Sequence, residues 1–447
     1  MAEAWPEMTD FPKDFVWGAA TAAYQIEGAP TANGKGPSIW DTFTHRPGVI
    51  EDGTNGDVAC DHYHRWPEDI ALMRALNLDA YRFSIAWTRI LPDGRGPVNQ
   101  AGLDFYARLI DGLLEAGITP YVTLYHWDLP QVLEDEGGWL RRNIVADYAR
   151  YADVVTRALG DRVRHWTTFN EPWVFTWSGY ALGEDAPGLK LGARGALAAT
   201  HHAFLAHGAA MPIIRANVKD AVAGIVLDLN AVEPTSESAE DVAAAKRWEG
   251  CQNRWYLDPL FKGAYPADML EVYRDVMPDI RPGDLESIRV PLDYLGVNFY
   301  RRSIAGVGDD LPPVNWKRHS PPGEYTAMGW EVSPNGLYDI LKFVWDGYHP
   351  KALYVTENGA AFDDVVTPDG QVHDERRVAY LRHHFAQAAQ AIADGLPLKG
   401  YFVWSLLDNF EWACGQAKRF GLIYTDYATQ RRIIKDSGKY VAAVAGR

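Results

Sequence analysis

A (β/α)8 TIM barrel, one domain over residues 1–447 with elaborated loops, is the fold class the sequence predicts, and three observations predict it. Eight short apolar runs recur along the chain, most are separated by stretches long enough for a crossover helix, and nearly every run ends in polar or aromatic residues suited to meeting a ligand. Buried parallel strands read as continuous apolar segments. Eight of them close a barrel whose chemistry is carried at the carboxyl ends of the strands. The length of 447 residues exceeds the roughly 250 of a usual barrel, and the excess is assigned to loop insertions.

The first run, Phe15 to Gln25, is followed by a helical stretch from Asp61 to Asn77, where Ile70, Met73, Leu76 and Leu78 fall roughly on one face. The second, Ala80 to Trp87, leads to a helix over Leu103 to Gly117 that stops at a glycine suited to a helix end. Thr119 to Trp127 is the third strand, and Ile144 to Gly160 the helix before the fourth, Arg164 to Pro172. An alanine-rich helix over Gly195 to Asn217 precedes the fifth, Val222 to Asn230. The widest interval, Ala231 to Pro291, has an acidic start and a helix through Lys246 to Tyr256, and is read as an excursion over one end of the barrel. Leu292 to Tyr300 is the sixth strand. The segment Gly306 to Gly336, rich in proline and glycine, is read as a long irregular binding loop in which Trp330 shapes the substrate site. Ala352 to Gly359 is the seventh strand, a helix over Glu375 to Gly395 follows, and Gly400 to Trp412 is the eighth.

Formal charge is −16, from 43 Lys plus Arg against 59 Asp plus Glu with no long basic block, so neither a nucleic acid nor an anionic membrane is a partner. No apolar run reaches 18 residues, and the amino end MAEAWPEMTDFPKDF has no basic stretch leading into an apolar one. A cytoplasmic location is the expectation. Cys60, Cys251 and Cys414 share no close spacing, which argues against a disulfide framework or a cysteine-rich metal site. The paired histidines, His201 with His202 and His383 with His384, are adjacent and so share no helix face, and no HExxH is present; no catalytic metal is expected. No dinucleotide fingerprint or P-loop occurs, so no cofactor is expected either. Composition sets no oligomeric state.

Two glutamates stand at strand ends four and seven, Glu171 in TTFNEPW and Glu357 in YVTENG. Those strands face each other obliquely across an eight-membered ring. Glutamates are rarely buried unless paired or needed. Opposed carboxyl groups at a barrel mouth suit glycoside hydrolysis, one as acid and the other attacking or activating water. Arg82 in the second strand and Tyr300 at the end of the sixth are placed to direct donors at Glu357, and a nearby positive charge favours the ionised form a nucleophile needs. Glu171, with Asn170 beside it and the apolar Trp173 beyond Pro172, has surroundings suited to keeping its proton. Gln25, His126, Asn170 and Glu411 arrive from strands one, three, four and eight with groups able to read sugar hydroxyls. Trp404 and Trp412 offer faces for stacking, and Trp127 and Trp173 extend the wall.

The chain resembles a family 1 glycoside hydrolase of the β-glucosidase kind over almost its full length. The motifs that carry the resemblance are FVWGAATAAYQIEG, YRFSIAWTRILP, LYHWDLP, TTFNEPW, LGVNFY, YVTENG and WSLLDNFEWACGQAKRFGLIYTD. It implies a retaining double displacement on β-linked sugars, with short oligosaccharides and β-glucosides as substrates and no cofactor. By matching position it implies Glu171 as acid/base and Glu357 as nucleophile. Gln25, His126, Asn170, Glu411 and Trp412 match sugar-binding positions, and Trp404 matches the stacking floor. Arg82, Asn298 and Tyr300 match residues that order the reaction centre, and Trp173, Trp330 and Phe420 match the aglycone side or pocket wall.

Exo-acting release of terminal β-D-glucosyl residues is the leading expectation, as in cellulose breakdown, with side activity on β-galactosides and β-fucosides. A 6-phospho-β-glycosidase is the alternative within the family, disfavoured because Glu411 would repel a 6-phosphate. A catalytically inert sugar-binding barrel is the alternative outside it, disfavoured because both glutamates are present.

Overall fold

The computed structural model describes residues 11–446; the first ten residues of the amino end considered above lie outside them, as does residue 447. Eight parallel strands close into a barrel in chain order: β1 (Val16–Ala20), β2 (Ala80–Ser84), β3 (Thr119–Tyr125), β4 (His165–Asn170), β5 (Val222–Asp228), β6 (Tyr294–Asn298), β7 (Leu353–Asn358) and β8 (Leu398–Trp404), with β8 returning to β1. Each of the eight apolar runs supplies one strand. They are apolar because the strands are buried on both faces, one against the barrel interior and one under the helices. Inside, Tyr121 stacks on His165 with ring centroids 4.0 Å apart and meets Phe402 at 4.9 Å and Tyr354 at 5.9 Å. Aromatic rings from β3, β4, β7 and β8 thus fill the lumen, so the barrel is a packed core.

The surrounding helices are α1 (His62–Ala75), α2 (Gln100–Glu115), α3 (Ile144–Leu159), α4 (Gly192–Asn217), α5 (Ala239–Glu249), α6 (Pro334–Tyr348), α7 (Glu375–Ala393) and α8 (Asp436–Ala445). Their inward faces follow helical spacing: Leu103, Tyr106, Leu109, Ile110 and Leu113 are buried in α2, and Ile144, Tyr148, Tyr151, Val155 and Leu159 in α3. Tyr151 also donates its hydroxyl to the carbonyls of Ile85 and Leu124, pinning α3 to the ends of β2 and β3.

Register levels the strand ends that build the site. Ala20 pairs with both Arg82 and Trp404, and Asn298 with both Asp228 and Glu357. The ladder is irregular just before each mouth glutamate, between Thr167 and Asn170 against β5 and between Val355 and Glu357 against β6.

Two insertions differ from expectation. The helix of the fifth crossover starts earlier, at Ala239, where the Ser238 hydroxyl caps it by accepting from the Asp241 amide; it then runs through a wide turn, Gly250–Arg254, into a further helix, Trp255–Phe261. The proline- and glycine-rich segment is not irregular throughout. Ser303–Asp310 pairs antiparallel with Trp316–His319 and parallel with Val232–Pro234, making a three-stranded sheet beside the barrel mouth. The apolar face this requires comes from a distant partner, Trp248 of α5, which stacks on Trp316 at 3.7 Å.

Candidate active site

At the carboxyl ends of the strands lies a cavity of about 340 Å³. Glu171 and Glu357 both line it, together with His126, Trp127, Trp173, Tyr300, Trp330, Trp404, Glu411 and Trp412. Arg82, Asn170 and Asn298 are buried immediately behind. Gln25 is placed by a short helical turn, Ala23–Ile26, and not by the strand end itself.

Glu357 is gripped at both oxygens. Nη1 of Arg82 lies 2.6 Å from Oε1, and the Tyr300 hydroxyl donates to Oε2 at 2.6 Å. Burial raises the Glu357 carboxyl above its ordinary range, and the charge of Arg82 and the hydrogen bond from Tyr300 pull it back toward ionisation. Glu171 has one strong neutral donor, Asn298 Nδ2 at 2.6 Å on Oε1. Burial first, and then the charges of Glu357 and Asp228, hold its carboxyl well above the usual range. Sequence reading paired Arg82 and Tyr300 with Glu357, as observed. It also placed Asn170 at Glu171, whereas that amide is turned away: its Oδ1 accepts from Arg82 Nη2 at 2.6 Å and from Asn298 Nδ2 at 3.1 Å. With both donors on Oδ1, Nδ2 of Asn170 must be the donor toward His126 Nε2, 3.0 Å away. His126 therefore carries its proton on Nδ1. Burial, and after it the charge of Arg82, keep the ring neutral by moving its pKa well below the ordinary value.

Buried polar atoms are almost always partnered. Here Gln25 Oε1 and His126 Nδ1 are not, among the described residues. The Gln25 amide is fixed by donating to the Phe410 carbonyl at 2.8 Å and to Asn409 Oδ1 at 3.1 Å, and it approaches Glu411 at 3.5 Å. One acceptor and one donor are thus held ready for a ligand. Burial, with the charges of Glu357 and Asp185, pushes the Glu411 carboxyl up to about 8. Trp412 meets Trp127 at 4.4 Å and His126 at 5.9 Å, and the Trp127 indole donates to the Asn170 carbonyl at 2.9 Å, so the aromatic wall and the polar cluster fix each other. Trp330 and Phe420 pack on Tyr300, at 5.2 Å and 6.1 Å; Phe420 is almost fully buried and backs the wall from behind.

Local backbone explains two motif features. Trp127, Glu171 and Trp412, all lining the cavity, have left-handed φ of 78°, 47° and 48°, which turns the chain sharply just past β3, just past β4 and in the loop that follows β8. Gly359 closes YVTENG because a Cβ there would sit 1.7 Å from the Trp404 carbonyl oxygen. Its backbone is pressed against β8.

Sequence reasoning missed Glu184, Asp185, Asp228, Asn230 and Arg301, which also line the cavity. Burial raises Asp185 to about 7 and Asp228 to about 6. Asp228 and Arg301 stand at the ends of apolar strands, the same signal that drew attention to Glu171. Among the described residues, no group of three or more His, Cys, Asp or Glu side chains is arranged to hold a metal ion, and no helix is long and apolar enough to cross a membrane.

A closed parallel barrel, two coupled buried glutamates of unequal environment and a cavity walled by aromatic rings define a glycoside hydrolase. The chain matches the family model described as glycosyl hydrolase family 1 over residues 7–447 and belongs to that family. It is 50% identical over 436 residues to beta-glucosidase A of Thermotoga maritima, covering 97% of each chain. It is 44% identical over 451 residues to the bifunctional beta-D-glucosidase/beta-D-fucosidase of Bifidobacterium breve, covering 96% of each. The structure of the Thermotoga maritima family 1 β-glucosidase superposes with a TM-score of 0.96 at 49% identity, covering 98% of this chain and 99% of that one; the same relative has been solved with glucoimidazole and with galacto-hydroximolactam.

Proposed function

We propose that this enzyme is a retaining, exo-acting β-glucosidase that removes terminal non-reducing β-D-glucosyl residues from short oligosaccharides and from aryl or alkyl β-glucosides. The observation that carries the reading is the two-point grip of Arg82 and Tyr300 on Glu357 beside a Glu171 held in its protonated range. Glu357, ionised, attacks the anomeric carbon while Glu171 passes its proton to the departing glycosidic oxygen. The bond to the aglycone breaks and a glycosyl ester on Glu357 forms. Esterification removes the negative charge that raised Glu171, so its pKa falls and it becomes the base for the second step. Water then gives its proton to Glu171 and attacks the same carbon, releasing the sugar with its β configuration and restoring Glu357.

Around this centre Arg82, Asn298 and Tyr300 order the two carboxyl groups. Gln25, His126, Asn170 and Glu411 take the sugar hydroxyls, with Trp404 and Trp412 against the ring. Trp173 and Trp330 flank the leaving group, backed by Phe420. Side activity on β-fucosides and β-galactosides is supported by the Bifidobacterium breve relative's name and by the galacto-configured ligand solved with the Thermotoga maritima enzyme. A 6-phosphorylated sugar is disfavoured because the glucose-side groups Gln25, His126 and Glu411 include no cation to meet a phosphate, the His126 ring being held neutral by burial. An inert sugar-binding role leaves the grip on Glu357 without a purpose. A cytoplasmic location is supported by three unpaired cysteines, two of them buried.

Mass mapping after treatment with an activated 2-deoxy-2-fluoro-β-glucoside tests the assignment. A glucosyl adduct on Glu357 is expected, and a label on any other side chain overturns it. Initial rates on aryl β-glucoside, β-galactoside, β-fucoside and 6-phospho-β-glucoside rank the specificity, and preference for the phosphorylated substrate would reverse the subclass.

A further inference from the structure

Two consecutive arginines follow Tyr300, and only one of them is tied down. Arg302 donates to both oxygens of Glu331, at 2.9 and 2.8 Å, and to Glu233 at 2.9 Å, joining the mouth to the neighbouring small sheet. Arg301 lines the cavity with its guanidinium carbon 5.2 Å from the centroid of the Trp330 ring, and its side chain makes no hydrogen bond or ion pair among the described residues. A guanidinium carries five N–H donors in a fixed fork, and on this half-buried wall none of them is committed to another described residue, so they remain available to a ligand in the cavity.

Asp228 complements it. This residue ends β5 and also lines the cavity; Gln252 Nε2 donates to its Oδ2 at 2.8 Å, which fixes the carboxyl plane, while Oδ1 has no hydrogen-bond partner among the described residues. Arg301 and Asp228 are electrostatically coupled, and Asp228 acts in turn on Glu171. The backbone amide of Glu171, just past β4, donates to the carbonyl of Val226 in β5 at 3.0 Å, so Glu171 and Asp228 stand at neighbouring strand ends. An acid that protonates the glycosidic oxygen has the leaving group on its own side. The free donors, the free acceptor and the Trp330 face therefore surround the space into which the aglycone projects.

We infer that Arg301 and Asp228, over the Trp330 platform, form a specificity-determining pair that selects a second, hydroxylated sugar ring as the leaving group in preference to a simple aryl or alkyl group. The inference rests on the glucosidase reading above. A donor fork and an acceptor beside one aromatic face match a pyranose, which offers an apolar face and hydroxyls that both accept and donate. An anionic aglycone fits less well, because Arg301 is the one cationic side chain on the cavity wall, among the described residues, and it faces the carboxyl of Asp228, which at about 6 is ionised at neutral pH.

The test compares kcat/KM for cellobiose and for p-nitrophenyl β-glucoside in the unaltered enzyme, Arg301→Met and Arg301→Lys, with inhibition by deoxynojirimycin as a check on the glucose pocket. Arg301→Met is expected to lower the cellobiose to p-nitrophenyl ratio at least fivefold, chiefly through KM for cellobiose, with the deoxynojirimycin constant held within about twofold. Arg301→Lys should recover part of the ratio. An unchanged ratio, or equal losses on both substrates, overturns the pair. So does a preference of the unaltered enzyme for p-carboxyphenyl over p-nitrophenyl β-glucoside that Arg301→Met abolishes, since that assigns the arginine to an anion. Failure of the unaltered enzyme to cleave any β-glucoside overturns the glucosidase reading, and the subsite with it.

Discussion

Arg82 Nη1 lies 2.6 Å from Oε1 of Glu357, and both side chains are sealed from solvent, at 1% and 3% exposure. Removing one partner of a buried ion pair leaves the other uncompensated, typically at a cost of about 3–5 kcal/mol unless it neutralises itself. Glu357 can do so by taking a proton. Arg82→Met is therefore expected to lower the thermal midpoint and to move the acidic limb of kcat/KM to higher pH, because burial then acts on Glu357 with the largest opposing influence removed and chiefly the Tyr300 hydrogen bond left against it. Arg82→Lys should shift the limb less. Paired pH profiles check this, and an unmoved acidic limb in Arg82→Met contradicts it.

Loss of the carboxylate itself is more severe. Glu357→Ala should reduce turnover of activated aryl glucosides by roughly four orders of magnitude or more, on the scale seen when residues acting as a unit are broken. Added azide should restore cleavage and yield the α-glucosyl azide, one inversion replacing two. Product anomer analysis by NMR decides the outcome, and a β-azide excludes Glu357 as the attacking group.

Glu171→Ala should separate substrates by leaving group. General acid catalysis contributes about 10²- to 10⁴-fold, so alkyl glucosides and cellobiose should lose on that order while dinitrophenyl glucosides lose little in the first step. The alkaline limb of the rate profile, set by a proton that Glu171 holds well above the usual carboxylate range, should vanish. In Glu357→Gln the Glu171 titration should move down toward ordinary values, measurable by carbon NMR of the labelled carboxyl. Equal losses across leaving groups sink the assignment.

Glu411 carries a stability consequence of definite sign. Its folded pKa, about 8, lies above the ordinary carboxylate value of 4.5, so the folded state keeps a proton that the unfolded chain releases. Its contribution is intact below about pH 4.5 and is lost progressively as pH rises toward 8. Glu411→Gln should match the parent in thermal stability near pH 4.5 and exceed it by up to about 4 kcal/mol at pH 8. Thermal melts at the two pH values test this; a variant less stable at pH 8 than the parent refutes it.

The barrel was legible because its strands are buried on both faces and so announce themselves as apolar runs. The two mouth glutamates were legible for the same reason, each being a charge at the end of such a run. Asp228 and Arg301 gave the same signal and were passed over, since nothing in LDLN or FYRRS distinguishes a cavity wall from a solvated loop. Arg302, one residue along, is indeed spent on surface ion pairs. The strands at Ser303–Asp310 and Trp316–His319 were hidden by prolines and glycines, and the ring that buries them, Trp248, lies far off in sequence. The turn of Asn170 away from Glu171 depends on where Arg82 and Asn298 arrive in space, which spacing alone does not encode.

Glu171 has φ 47° and ψ 68°, a conformation glycine adopts freely and a side chain with a Cβ does not. Holding it there costs on the order of 1–3 kcal/mol. Glu171→Gly should consequently unfold at a higher temperature than the parent while hydrolysing ordinary glucosides poorly. An acidic side chain at this position persists against the polypeptide's own preference, so a drift toward robustness and a drift toward inactivity point the same way here.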